Sequence, residues 1–471
     1  MEETKRYLQS FLFQHKIDIP KSKESLFEDF ISDETNNAAV KIIKEKQQLI
    51  MDNWMLKNRI DDIMQHASFL PNGTVNKAYE LKMDFMKLDW DTINFYEFEI
   101  SEETGLYFDS NEKKLFGFPK ISGDLKIKLR FKVEGEPQET QLNEKVFTVI
   151  INPDPKSLWK NIESDKNALF SKEDHIAVSD VFLDKNIVVA SKRGRSHANV
   201  GSFREDDFAF KNFKSNGWSI LAVSDGAGSA SLSRKGSKLA CETVIEYFET
   251  NLDTEIWNEF DTLAVKHYAK TDSESTQKIN DFVCNNLSKA AHYAHQKIEE
   301  FATEQGEELK SFHATLIFAL VKKYDFGYAI LSFGVGDCPI GLVSKDLMEV
   351  SLMNHIDAGE FGGGTRFITM PEIFQNEKFS SRFGFKLVDD FAYLMLMTDG
   401  IYDPKFEVEA NLEKTEKWIE FLSDLQGNNE EKAKVDFEKD NTAIAAQLSN
   451  WMDFWSPGNH DDRTLAIIYQ I

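Results

Sequence analysis

Cysteine is scarce in this 471-residue chain: Cys241, Cys284 and Cys338 are the full set. They stand far apart and form no CxxC pair, which excludes a thiolate metal knuckle and the dense, even spacing of a disulfide scaffold. A reducing compartment, the cytoplasm, is therefore expected. Basic charge is also short. The 55 Lys and Arg against 79 Asp and Glu give a net charge of -24, and no basic track interrupts the acidity, so neither nucleic acid nor an anionic membrane is an expected partner. No run approaches the roughly 18 uninterrupted apolar residues of a membrane span. The opening MEETKRYLQS lacks the basic start and apolar core of a secretory signal. What remains is a soluble chain long enough for two or three domains with real cores.

The chain changes character several times. Thr35 to about His66 is rich in helix formers, has no Pro or Gly, and repeats Ile42, Leu49, Leu56 and Ile63 at sevenfold spacing. This predicts one long amphipathic helix, packed on its own chain or serving as a dimer seam. Turn chemistry begins at Pro71-Asn72-Gly73, and short alternating segments such as KLRFKV and VFTVII follow to Pro155, the spacing of a small all-β sandwich. The charged stretch DPKSLWKNIESDKNALFSKED has no clear strand pattern and reads as a linker. The expected organisation is a helical segment over 1–67, a β-sandwich over 68–155, a linker over 156–174 and a large domain over 175–471.

In that last region an apolar strand repeatedly runs into an acidic residue. Trp218–Val223 leads to Ser224-Asp225-Gly226, Tyr393–Met397 to Thr398-Asp399-Gly400, and ILSFGVGD to Asp337, while Asp461-Asp462 directly precede TLAIIYQI. One Asp-Gly is an ordinary turn. Several carboxylates at strand ends, each held by its sheet yet facing out, can together grip a hard divalent cation.

Taken in order, SHANVGSFREDDFAF, WSILAVSDGAGSASLSRKGSKLA, SFHATLIFAL with SFGVGDCPIGLV, YLMLMTDGIYD and GNHDDRTLAII resemble the PP2C family of metal-dependent phosphatases, its bacterial branch most of all. The resemblance implies an α+β fold, the PP2C four-layer α-β-β-α sandwich of two antiparallel sheets flanked by helices, preceded by the helical segment and the small all-β sandwich. GLYFDSNEKKLFGFPKISGDLKIKLRF similarly resembles immunoglobulin- and cadherin-like domains, implying a binding or spacing module.

Carried over by position, the resemblance implies that Asp225 bridges two Mn²⁺ or Mg²⁺ ions and that the Gly226 carbonyl joins the second. Asp399 and Asp461 complete the first site, Asp206 with Glu205 lies near the second, and Asp403 with Asp337 holds a third, weaker ion. Oxygen ligands of this kind suit Mg²⁺ or Mn²⁺ over Zn²⁺. The implied reaction is hydrolysis of phosphoserine and phosphothreonine by a water activated between two cations, on a phosphoprotein substrate supplied by a Ser/Thr protein kinase. The implied catalytic residues are Asp225, Asp206 and His197, the last as phosphate ligand or general acid, although a lone His near a turn is often structural.

The sequence departs from the family where many relatives carry a phosphate-binding arginine: that position is Gly201, leaving Arg193, Arg195 and Arg204 as candidates. Cys241, on an apolar helix face, reads as buried and inert. AGEFGGGTRFIT resembles the family's flap, and GNNEEKAKVDFEKDNTA reads as a solvated insertion. A catalytically silent scaffold is the alternative, disfavoured by retention of the four principal aspartates, and a metal nuclease is disfavoured by the charge.

Overall fold

The computed structural model describes residues 2–67, 70–253, 255–357, 364–375 and 377–470. The chain divides into two compact units, Met1–Leu158 and Trp159–Ile471. In the first, helices α1 (Glu2–Gln14), α2 (Glu24–Ser32) and α3 (Glu34–Gln65) share a small core of Leu8, Phe27, Ile31 and Val40. α3 begins at Asp33, whose carboxylate accepts the N–H groups of Thr35 at 2.8 Å and Asn36 at 3.2 Å, satisfying donors the first helical turn leaves open. The sevenfold stripe is not one buried seam: Ile42 and Leu49 are exposed while Ile63 is buried. The helix is anchored at its ends, by Val40 among the helices and by Ile63 in the β core.

That β core lies between two sheets. Strands β1 (Gly73–Thr74), β3 (Ile93–Glu99), β6 (Gly123–Val133) and β7 (Asn143–Asn152) form one, in the order β1-β7-β6-β3. Strands β2 (Tyr79–Lys82), β4 (Leu106–Asp109) and β5 (Lys114–Gly117) form the other, in the order β2-β5-β4. On β6 the alternation is direct: Leu125, Ile127, Leu129, Phe131 and Val133 point inward, and Arg130 between them meets Glu97, Glu99 and Glu144 outside.

The second unit is built from two larger sheets. Strands β8 (His175–Phe182), β9 (Lys185–Lys192), β10 (Asp207–Phe213), β11 (Trp218–Ser224), β12 (Leu316–Tyr324), β13 (Gly327–Val335), β14 (Ile340–Ser344), β15 (Val350–Leu352), β16 (Phe383–Val388), β17 (Phe391–Met397) and β18 (Arg463–Tyr469) pair antiparallel. One sheet has the order β10-β11-β12-β13-β16 and the other β15-β14-β17-β18-β9-β8. Because side chains alternate across a strand, each central strand divides its residues between two cores. Leu221, Val223, Ile317 and Ile330 of one sheet meet Ile187, Val189, Leu396 and Ile468 of the other. On the outer faces Ile220, Phe318 and Phe333 pack under α5 (Ser233–Asn251), α6 (Glu255–Tyr268) and α7 (Ser275–Gln305). Met395, Met397 and Ile467 pack under α8 (Asp399–Phe406), α9 (Thr415–Leu425) and α10 (Ile444–Trp451). The result is the four-layer α-β-β-α sandwich, with each buried Leu, Ile or Phe worth roughly 1.5–3 kcal/mol.

Two stretches behave differently from their composition. From Trp159 onward the expected linker is a strap bound to the second unit: Ile162 N donates to Ala198 O at 2.9 Å, Arg193 reaches Asn161 and the Ile162 carbonyl, and Arg234 reaches the carbonyls of Leu169 and Phe170. The acidic stretch Gly427–Ala443 is not merely solvated, because Val435 is fully buried among the residues under α9 and α10 and Val435 N donates to Leu425 O at 2.7 Å. Of the flap-like segment, residues 358–363 lie outside the described residues, and its end is tied down by Ile368 N on Ala314 O at 2.9 Å.

Candidate metal centre

Strand register decides which acidic turns become neighbours. β10 and β11 pair Asp207 with Ser224, which sets Asp206, just before β10, beside Asp225, just after β11. β11 pairs Val223 with Ile317, and β12 pairs Leu316 with Val335, which brings Thr315 and the Gly336-Asp337 turn to the same end. In the facing sheet β17 and β18 pair Met397 with Leu465, so Thr398-Asp399 and Asp461-Asp462 share an end as well. Glycine permits the backbones to close in. A Cβ on Gly226 would stand 2.6 Å from the Glu205 carbonyl oxygen, and one on Gly400 would overlap the main chain of Asp462.

Within this cluster the Asp206 and Asp337 carboxylates each have one oxygen held and the other without a hydrogen-bond partner. Asp206 Oδ2 accepts the hydroxyls of Thr464 at 2.7 Å and Thr398 at 2.9 Å. Asp337 Oδ2 accepts Thr365 Oγ1 at 2.8 Å. Asp225 is pinned by its main chain, its N–H on Thr315 Oγ1 at 2.9 Å and its carbonyl accepting Thr315 N at 2.8 Å. A carboxylate oxygen of Asp225 lies within 4.8 Å of ligand atoms of Asp337 and Cys338. Asp403 follows Asp399 by one turn of α8 and accepts Asn459 Nδ2 at 3.4 Å. Buried oxygens without a hydrogen-bond partner include Glu205 Oε2, Asp206 Oδ1, Asp337 Oδ1 and Asp399 Oδ1.

Such oxygens raise one another's proton affinity. Burial, then the charges of Asp399, Asp206, Asp461 and Asp337, hold Asp225 well above the usual carboxylate range. Asp399 is raised in the same sense by burial, Asp461 and Asp337. Burial and Asp462 push Asp206 up to about 7. A convergent set of buried, mutually repelling, unpartnered carboxylate oxygens is costly alone, and a hard divalent cation removes that cost. The donors fit Mg²⁺ or Mn²⁺. Cys338 does not alter this, because burial, Asp225 and Asp337 push its thiol far up and keep it neutral.

His197 sits at the edge of the cluster, its ligand atom within 4.8 Å of those of Asp461 and Asp462. Its Nδ1 is 3.0 Å from Asp462 Oδ1 and its Nε2 is 3.8 Å from Glu205 Oε2. Burial works against the charged ring, but the hydrogen bond and charge of Asp462 outweigh it and raise the imidazole to about 9. Asp462 also takes Gly194 N at 2.6 Å and Glu205 N at 2.5 Å, so it organises the turn rather than facing the cluster.

The structure brings Asp206, Asp225, Gly226, Asp337, Asp399, Asp403 and Asp461 to one end of the two sheets, with His197 beside them. It does not bring the three arginines there as phosphate ligands. Arg193 is spent on Ser202 O, Ile162 O, Asn161 and Asp174. Arg195 holds the carbonyls of Asp453 and Phe454, and Arg204 holds Glu173 O, Ser191 Oγ and Asp206 O. Main-chain carbonyls take donors of all three guanidiniums, a use that residue type alone does not reveal. Missed in the sequence were Asp462 as the partner of His197, and Thr398 and Thr464 as holders of Asp206. Their signal was present: Thr398 directly precedes Asp399 in TDG, and Thr464 follows Asp462 by two positions in DDRT.

A family model described as protein phosphatase 2C matches residues 193–453. Among solved structures, the serine/threonine phosphatase Stp1 from Staphylococcus aureus is 12% identical, with 62% of this chain and 96% of that chain covered and a TM-score of 0.34. RsbX in complex with magnesium is 14% identical, covering 62% and 99%, with a TM-score of 0.34. The PP2C phosphatase domain of SpoIIE from Bacillus subtilis, with a fragment of its regulatory domain, is 11% identical, covering 95% and 98%, with a TM-score of 0.34. No curated protein matches the sequence.

Proposed function

Because the chain belongs to the protein phosphatase 2C family, whose model spans more than half of it, we propose that it hydrolyses phosphoserine and phosphothreonine monoesters of proteins with Mn²⁺ or Mg²⁺. The observation that carries this reading is the set of buried, unpartnered carboxylate oxygens on Asp206, Asp337 and Asp399, gathered at one end of the two sheets. Asp225, Asp206, the Gly226 carbonyl, Asp399 and Asp461 would hold two ions, and Asp337 with Asp403 a third. Bound there, such ions neutralise the phosphate dianion and acidify and orient the attacking water.

The chain's own groups do the rest. Thr398 and Thr464 fix Asp206 through Oδ2 and leave Oδ1 for the centre. Thr315 clamps the Asp225 main chain from both sides. His197, with Nδ1 on Asp462 and a charged ring at neutral pH, keeps a proton on Nε2 for the departing serine or threonine oxygen. The all-β part of the first unit serves as an immunoglobulin- or cadherin-like binding or spacing module, and a Ser/Thr protein kinase supplies the substrate. The three free cysteines suit the reducing cytoplasm.

The test is hydrolysis of a phosphoserine peptide by the purified full chain with and without Mn²⁺. Activity is expected only with the metal and is expected to vanish in Asp225→Asn. Full activity in EDTA overturns the proposal.

A further inference from the structure

The strap that precedes the catalytic sheets reaches the metal centre through one side chain. Lys172 is 10% exposed, and its Nζ donates to the Asp206 carbonyl at 2.7 Å and the Arg234 carbonyl at 3.2 Å while pairing with Asp207 Oδ2 at 2.9 Å. Arg204 Nη1 approaches the same Asp206 carbonyl at 2.5 Å. Two cationic donors thus fill both lone pairs of one peptide oxygen. Asp206 is then held at both ends, its main chain by Lys172 and Arg204 and its carboxylate by Thr398 and Thr464, which leaves Oδ1 a single aim.

The strap has its own reason to stay in place. Ile162 lies over Gly201, where an added Cβ would meet its side chain at 3.0 Å. Gly201 has φ +73 and closes the short α4 (Arg195–Val200), a left-handed position that favours glycine. The place where many relatives carry an arginine is therefore covered by chain that precedes residue 193, where the family match begins. Phe170, two residues before Lys172, packs on Phe301 at 5.6 Å, and Arg234 grips the carbonyls of Leu169 and Phe170. These contacts fix where the Lys172 ammonium arrives.

The geometry points to Lys172 as a positioning residue of the metal centre, acting through the main chain of Asp206 from outside the part of the chain that family membership covers. The inference rests on the phosphatase reading for the presence of the ions and goes beyond it in the residue it adds. A partner that orients a metal ligand contributes to affinity rather than to chemistry, and losing one typically costs about 10–100-fold in metal binding.

The test is direct Mn²⁺ binding by the full-length protein, read from the electron paramagnetic resonance of free Mn²⁺, with phosphopeptide turnover measured across a Mn²⁺ titration. Lys172→Met is expected to weaken Mn²⁺ binding about tenfold or more, with turnover recovering at high Mn²⁺. Lys172→Arg is expected to stay within about threefold of the parent. Lys172→Gln takes the place of Lys172→Met, with the same thresholds, if the latter does not stay folded. Mn²⁺ binding within about threefold of the parent in the uncharged variant, with only a lowered melting temperature, overturns this inference alone. A parent chain that binds no Mn²⁺ overturns the phosphatase reading and this inference with it.

Discussion

Neutralising one carboxylate of the cluster should make the metal-free protein more stable while abolishing the proposed Mn²⁺-dependent activity. Asp206 is fully buried, and burial together with Asp462 raises it from 3.8 to about 7. The native state therefore binds this proton more tightly than the unfolded chain. Stability is intact below about pH 4 and is lost progressively as pH rises to about 7. At pH 8 the full shift of about 3 units applies, and at about 1.4 kcal/mol per unit it costs the metal-free protein about 4 kcal/mol. At pH 5 only about 1.5 kcal/mol of that is expressed. Asn keeps the shape, and its amide oxygen can still accept the hydroxyls of Thr398 and Thr464. Asp206→Asn should accordingly gain about 2–4 kcal/mol over the parent in urea unfolding at pH 8 in EDTA, and about 1 kcal/mol at pH 5. With Mn²⁺ the gap should narrow by about 2.7 kcal/mol at a hundredfold excess over the parent's dissociation constant and close, by about 4.1 kcal/mol, at a thousandfold excess, since the variant gains little. An Asp206→Asn protein no more stable than the parent at pH 8 in EDTA, or equally stabilised at both pH values, would refute the picture of carboxylates crowded for a cation.

His197→Gln should slow turnover of a phosphoserine peptide about a hundredfold or more while sparing p-nitrophenyl phosphate, whose leaving group needs no proton. Because the ring must be charged and is raised to about 9, the parent's peptide rate should fall above that pH, and this limb should be missing from the variant's profile. Iodoacetamide at pH 8 should label Cys284 and spare Cys241 and Cys338, whose thiols are buried and pushed far up, without loss of Mn²⁺-dependent activity. Mass spectrometry of the labelled peptides checks this, and activity lost on alkylation of Cys241 would assign that residue a role the fold does not. Val435→Ala should cost about 2 kcal/mol of stability, measurable by urea unfolding. A surface-like effect near zero would mean that the acidic stretch does not dock.

Much of the molecule was legible because its signals are local. An apolar strand followed by Asp-Gly needs only residue types and their order, and the succession from Asp206 through Asp225, Asp337 and Asp399 to Asp461 is readable in the sequence itself. Likewise β6 shows its two faces by alternation, since one is wet, while β11 is buried on both faces and hides its period.

What residue order could not supply was the choice of partner. His197 meets Asp462 across 265 positions, and Asp206 meets Thr464 across 258; only the register of β9, β10, β11, β17 and β18 sets those pairs side by side. The arginines were misjudged for the same reason: a guanidinium has five donors and will satisfy whichever acceptors the fold delivers, here main-chain carbonyls. Charge made the strap look like a solvated linker, yet its main chain is tied by hydrogen bonds that every sequence can make and none announces. Composition and order determined which chemistry this chain carries. The tertiary structure alone decided which groups stand near enough to use it, because proximity between distant residues is set by sheet pairing and close packing rather than by any property of the residues taken singly.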